Sequence, residues 1–168
     1  SGVVGCETQM LINLGLIHRD GRVIRYWDTL IADMEEKGWR LFGWYVWDQG
    51  SGVPMGDQSA RLLSSHEWVF HLASDRREAH KTVGKKAENV RLREDGSMRN
   101  VDGSIKVFTS PEGGLHTHKI PDSVIRVARA GGSMRAEHRA VLPVGLPKHL
   151  MPVWTDEGDI VAEPFGGS

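Results

Sequence analysis

The chain's 168 residues suffice for one domain with a real core and are too few for two, and 39% hydrophobic with 26% charged residues excludes a disordered tail or a fibrous repeat. Cys6 is the single cysteine, which excludes an internal disulfide and a multi-thiolate zinc site. No run approaches the roughly 18 apolar residues of a membrane helix and the N-terminus lacks a secretory layout, so the sequence predicts a cytoplasmic protein with no membrane partner.

Gln9 to Gly15 is a short apolar run closed by glycine, the pattern of a buried strand, and His18 to Gly21 makes a turn. Trp27, Leu30, Ile31 and Met34 recur at helical spacing, with Asp28, Asp33 and Glu35 facing away and Gly38 as the stop, which predicts a helix over 27–37. Trp39 to Trp47 is apolar on both sides from Leu41 onward and reads as a central strand covered by helices on both faces. Strand, helix, strand is the order of a right-handed parallel crossover. Asp48 to Asp57 reads as a long loop, and Glu67 to Ala73 as a third strand with Trp68, Phe70 and Leu72 on one side. The expected class is therefore α/β.

From Asp75 to Arg139 the periodicity weakens. Only Val101 to Phe108, as a short strand, and Asp122 to Ala130, as a short helix, stand out from an insertion or small subdomain. Charge is segregated there: residues 76–139 carry 14 Lys and Arg against 8 Asp and Glu, whereas the flanks carry 7 against 14. A phosphate-binding insert shows this pattern, and so does a well-solvated loop region. Beyond it come Ala140 to Pro143, a brief helix from Leu146 to Met151 that Pro152 should stop, and a strand from Asp159 to Phe165. The division expected is core over 1–75, basic insertion over 76–136, and core again over 137–168. Because the chain starts at Ser1 and stops in Gly166-Gly167-Ser168, it is expected to be part of a longer product.

The last ten residues, DIVAEPFGGS, carry the sharpest signal. A strand running into an acidic residue, proline, an aromatic and paired glycines lets a nucleotide-like ligand approach the backbone, since glycine has no Cβ to collide with it. A loose tail has the same composition, and the preceding residues separate the two readings. The run from Glu137 to Ser168 resembles the C-terminal part of β-class DNA amino-methyltransferases, in which a His-Pro-Ala-x-Phe-Pro segment and a short helix precede an Asp-Pro-Phe-Gly-Gly-Ser-Gly-Thr turn. GWRLFGWYVWDQG and RLLSSHEWVFHLA resemble the strands that follow the catalytic strand in such enzymes, notably those of phages and prophages.

The resemblance implies an incomplete Rossmann-like S-adenosylmethionine-dependent methyltransferase sheet with a basic insertion. Glu163, Pro164, Phe165, Gly166, Gly167 and Ser168 would form one wall of the cofactor pocket, with His138, Ala140, Leu142, Pro143 and Leu146 on another. The variable stretch would recognise double-stranded DNA, so Arg76, Arg77, Lys81, Lys85, Lys86, Arg91 and Arg93 become the DNA-binding candidates. The implied reaction methylates the exocyclic amino group of adenine or, as the second choice, cytosine, in a restriction-modification setting; a homodimer is a further expectation. Glu163 stands where the family has Asp, and Arg139 where it has Pro. The family's catalytic tetrapeptide, an Asp, Asn or Ser before Pro-Pro and an aromatic, occurs nowhere in the chain, so this stretch alone is expected to be inactive.

Two other constellations were weighed. His66, His71, His116, His118, His138 and His149 lack acidic or cysteine partners at ligand spacing, and no metal is expected. Trp39, Trp44, Trp47 and Trp68 read as packing, with Trp47 the exception because it abuts the loop residues Asp48-Gln49-Gly50, where open α/β sheets bind ligands. The rival to the enzyme is a non-catalytic DNA-binding or assembly module on the same scaffold.

Overall fold

The computed structural model describes residues 7–53, 60–85, 96–108, 117–129 and 142–165. They fall in two units, one of residues 1–79 with 122–168 and one of His80–Pro121.

The larger unit begins with β1 (Gln9–Leu14), followed by a small hairpin of β2 (Ile17–Arg19) and β3 (Arg22–Ile24). Asp20-Gly21 joins them with positive φ at both residues, 50° and 74°, as the tightest hairpin turn requires. Helix α1 (Tyr26–Glu36) follows and ends where expected. Gly38, at φ 89°, donates its N–H to Glu35 O while the Trp39 N–H reaches Met34 O, a pair of bonds that satisfies the last carbonyls of the helix.

Strand β4 (Arg40–Val53) comes next, then β5 (Ser64–Ala73). With β10 (Val124–Arg126) they form one sheet in the order β1-β5-β4-β10. β5 is antiparallel to both β1 and β4, and β10 is parallel to β4. β1 and β4 thus run the same way, but β5 lies between them, so the expected crossover does not join neighbouring strands. The connection through α1 leaves a one-strand gap that a later strand fills. Phe70 sits mid-sheet, opposite Ile12 on one side and Trp44 on the other.

A helix packs on each face of this sheet. Trp27 of α1 stacks on Phe70, with ring centroids 6.4 Å apart. On the opposite face, α2 (Gly145–Trp154) lays Leu146, Leu150, Val153 and Trp154 against Trp47, Val69 and Ile125, the main buried cluster. Burial of a side chain of this size removes roughly 1.5–3 kcal/mol worth of apolar surface from water, so this cluster is the chief source of stability for that layer.

Further expectations change in this unit. The expected loop from Asp48 to Asp57 is strand over its described part: β4 continues to Val53 through a break in register between Asp48↔His66 and Val53↔Ser64, where the surplus residues bulge from the ladder, and residues 54–57 lie outside the described residues. Of the expected helix from Asp122 to Ala130, residues 122–129 are described and hold none, because Val124 and Ile125 are β-branched and the edge of β4 offers backbone partners, with Val46 N–H donating to Ser123 O and Val127 N–H to Asp48 O. Helix α2 passes Pro152 and stops at Thr155, whose N–H and Oγ1 both donate to Met151 O. Asp159 to Phe165 forms no strand: none of the described strands pairs with it, and Ile160 is left 92% exposed.

In the smaller unit β6 (Val83–Gly84) pairs with β9 (His118–Lys119), and β7 (Gly96–Arg99) with β8 (Ile105–Phe108). The pairings are nested, one hairpin within the span of another. The unit is shorter than the expected insertion of 76–136, because 122–129 returns to the main sheet through β10. Residues 101–104, expected in the strand ending at Phe108, instead belong to the turn from Asn100 to Ser104, where the Asn100 N–H donates to Ser104 O at 2.7 Å. No helix among the described residues is long and apolar enough to cross a membrane.

Candidate functional site

The proposed cofactor residues divide sharply by environment. Pro143 and Leu146 are buried, and Leu146 faces the core beneath β4 and β5. The start of α2 runs so close to the segment after β10 that a Cβ on Gly145 would meet Val127 Cγ1 at 2.8 Å. Leu142 is exposed, as are Glu163, Pro164 and Phe165, the phenyl ring of Phe165 at 91%. Leu146 therefore lies in the core and Phe165 in solvent. Expected pocket residues His138, Ala140, Gly166, Gly167 and Ser168 lie outside them. Within the turn, Glu163 Oε1 accepts the Phe165 N–H at 2.8 Å, so the longer carboxylate folds back to fix the backbone of its own bend.

Among the DNA candidates, Arg77 is committed within the chain. Its Nη2 donates to Asp156 Oδ2 at 2.7 Å and to Asp159 Oδ2 at 2.6 Å. Hydrogen bonds to Asp156, then to Asp159, push its pKa upward. The charge is thereby met by carboxylates of the segment after α2. Arg76 is exposed, with Glu78 at 3.9 Å; Lys81 is exposed and Lys85 half-buried, its backbone N–H on Thr117 O. Lys86, Arg91 and Arg93 lie outside the described residues.

Trp47 is core, not ligand platform. It is 3% exposed, and its Nε1 donates to Val127 O at 2.7 Å, which pins the strand end to the chain leaving β10. Gln49 beside it is buried as well and takes the Arg129 Nε–H on its Oε1. Trp44 keeps half its surface, packed edge-on against Trp68 at 5.5 Å.

Among the described histidines, His71 has the most perturbed environment. It is 0% exposed, its ring lies 4.5 Å from that of Trp154, and burial lowers its pKa to about 4. Nε2 meets Gln9 Oε1 at 2.7 Å and Nδ1 meets the Tyr45 hydroxyl at 2.9 Å. An amide oxygen only accepts, so Nε2 carries the proton and Nδ1 accepts from Tyr45. One neutral imidazole thus ties β1, β5 and β4 together. Sequence reasoning treated this residue as one of six possible ligands; the polar Gln9, two residues before the Leu11 that pairs with His71 and so on the same face, was the available signal, readable only once the register is known. His66 packs edge-on against Trp68, and His118 Nδ1 lies 3.0 Å from Thr117 Oγ1. Among the described residues no three His, Cys, Asp or Glu side chains cluster as metal ligands.

In comparison with known proteins, the profile of a family described as DNA methylase matches residues 9–168. No curated protein matches the chain.

Proposed function

Because the chain belongs to the DNA methylase family, we propose that it forms part of a β-class, phage-type enzyme that moves a methyl group from S-adenosylmethionine to an exocyclic amino group in duplex DNA, adenine ahead of cytosine. The observation that carries this reading is the reach of the family match, which takes in both the sheet strands and the Glu163-Pro164-Phe165 turn. A mixed sheet with parallel β1 and β4, antiparallel β5 between them and a helix on each face supports a share of a Rossmann-like methyltransferase layer.

The residues present suit the cofactor. An exposed phenyl ring has a free face for a flat heteroaromatic group, and the turn that bears it is held by Glu163 before any ligand arrives. When bound, S-adenosylmethionine supplies an electrophilic methyl on a sulfonium centre. The chain's own part is to present Phe165 and the adjoining glycine amides at the end of the 159–163 segment, which the Arg77 clamp on Asp156 and Asp159 anchors. The groups that would hold the flipped base amino group are not in this sequence, which contains no Pro-Pro pair, so the chain alone binds donor and DNA without transferring the methyl group.

Isothermal titration of the full chain with S-adenosylmethionine tests this. Binding that Phe165→Ala abolishes supports the reading; a chain that takes up no heat from the cofactor at any concentration sinks it. The absent tetrapeptide favours one rival, a non-catalytic DNA-binding module, and salt-sensitive duplex binding with no cofactor binding is its signature.

A further inference from the structure

The smaller unit holds a hairpin with apolar side chains left exposed. β7 and β8 pair through Ser97↔Val107, Met98↔Lys106 and Arg99↔Ile105. Cross-strand partners share a face, so Ser97, Arg99, Ile105 and Val107 lie on one side. Ile105 and Val107 are both about two-thirds exposed, at 64% and 63%. Among the described residues no third strand joins this ribbon, and a two-stranded ribbon is marginal alone in water, so contact with another molecule would cover these side chains to the hairpin's benefit.

The chemistry of that face is mixed in a particular way. It offers one guanidinium, one hydroxyl and two branched apolar groups, and no ion pair to Arg99 is found among the described residues. The carboxylate at the tip is turned inward: Asp102 Oδ1 accepts the Ser104 N–H at 2.9 Å and the Ser104 Oγ–H at 2.6 Å. These bonds hold the Asp102 pKa down, so the charge stays within the turn. Across residues 80–121 eight Lys and Arg face five Asp and Glu. A polyanion is the complementary partner, and the family's substrate class is DNA.

Resting on the methyltransferase reading above for that partner, we propose that the β7–β8 hairpin enters the major groove of the DNA substrate as a two-stranded ribbon and reads bases with its Ser97, Arg99, Ile105 and Val107 face. A groove about 12 Å wide admits such a ribbon. Arg99 then matches the two acceptors of a guanine edge, Ser97 serves either base of a pair, and Ile105 and Val107 match thymine methyl groups. The basic residues elsewhere in the unit supply sequence-independent attraction to phosphate.

Selection of the full chain on a randomised duplex pool, followed by fluorescence anisotropy on the selected duplex, tests the assignment. Arg99→Ala should weaken that duplex about tenfold and, on reselection, lose a guanine preference at one position. Arg99→Lys should keep the salt dependence and lose the preference, and Ile105→Ser with Val107→Ser should relax a thymine position. All three sites are exposed or at a ribbon edge, and an unfolding midpoint equal to the parent's confirms that the variants are folded. Equal weakening on every sequence, unchanged binding, equal competition by duplex RNA, whose deep narrow major groove excludes a ribbon, or no duplex binding in low salt each overturns the inference. Cofactor titration on the same samples keeps the two readings apart: a chain that binds S-adenosylmethionine while its hairpin variants read DNA as the parent does retains the first and loses the second.

Discussion

His71 shows how one side chain can set an acid limit for the fold. Its pKa in the folded chain is about 4 against the ordinary 6.5, and desolvation is the cause. Between those values the unfolded chain takes up a proton that the folded chain refuses, so folding is favoured fully above about pH 6.5 and loses ground as the pH falls towards 4. A shift of that size corresponds to roughly 3 kcal/mol. Tyr45, whose own pKa is raised by burial, remains a neutral donor throughout. Urea unfolding at pH 7.5, 6.5, 5.5 and 4.5 should show stability dropping across this window, and His71→Leu, less stable at neutral pH because Gln9 and Tyr45 lose their partner, should show a flatter profile. A parent chain equally stable at pH 7.5 and 4.5 would contradict the burial argument. Arg77 makes the complementary point: its residue type announced a surface cation, whereas its partners Asp156 and Asp159, about 80 positions away, could not be read from composition.

At the scale of elements, β4 carries the least forgiving position. The ladder with β5 slips between Leu41 and Gly43, leaving Phe42 as the extra residue, and Gly43 comes to stand opposite His71. A Cβ there would meet the Tyr45 ring, with Cζ at 2.6 Å, so Gly43→Ala must push aside the phenol that donates to His71. The expected loss is about 1–3 kcal/mol, as for other overpacked sites, read as a lower urea midpoint with an unchanged slope. Gly43→Ala should also cancel with His71→Leu, the double variant losing less than the two single losses added, since both disturb one contact. Helix α1 and strand β5 were legible because each carries its own periodicity, Trp27 to Met34 at helical spacing and Trp68 to Leu72 in alternation. β10 was not: three residues become a strand only because β4 has an open edge beside them. The 159–163 run is the converse, β-prone residues that stay irregular without a neighbour.

For the whole molecule, the α/β class and a helix on each face of the sheet followed from the pattern, while strand order did not, because pairing β5 between β1 and β4 depends on contacts far apart in sequence. The candidate site was legible as a motif, Glu163-Pro164-Phe165, and its surroundings were not: burial sorted Leu146 into the core and Phe165 into solvent. The Arg77 clamp gives a prediction at this scale, since it ties the loop after β5 to the chain beyond α2. Arg77→Ala should speed hydrogen exchange at residues 155–160 and leave the salt dependence of duplex binding as in the parent; a smaller salt slope would return Arg77 to the phosphate contacts.

Nesting of the β7–β8 pair inside the β6–β9 pair has an evolutionary consequence. Everything enclosed by the outer pair can be lengthened, shortened or exchanged for another ribbon while the strands that pack against the two helices keep their register. On the proposed readout, target preference and scaffold diverge at different rates, and related chains should differ most in the enclosed stretch.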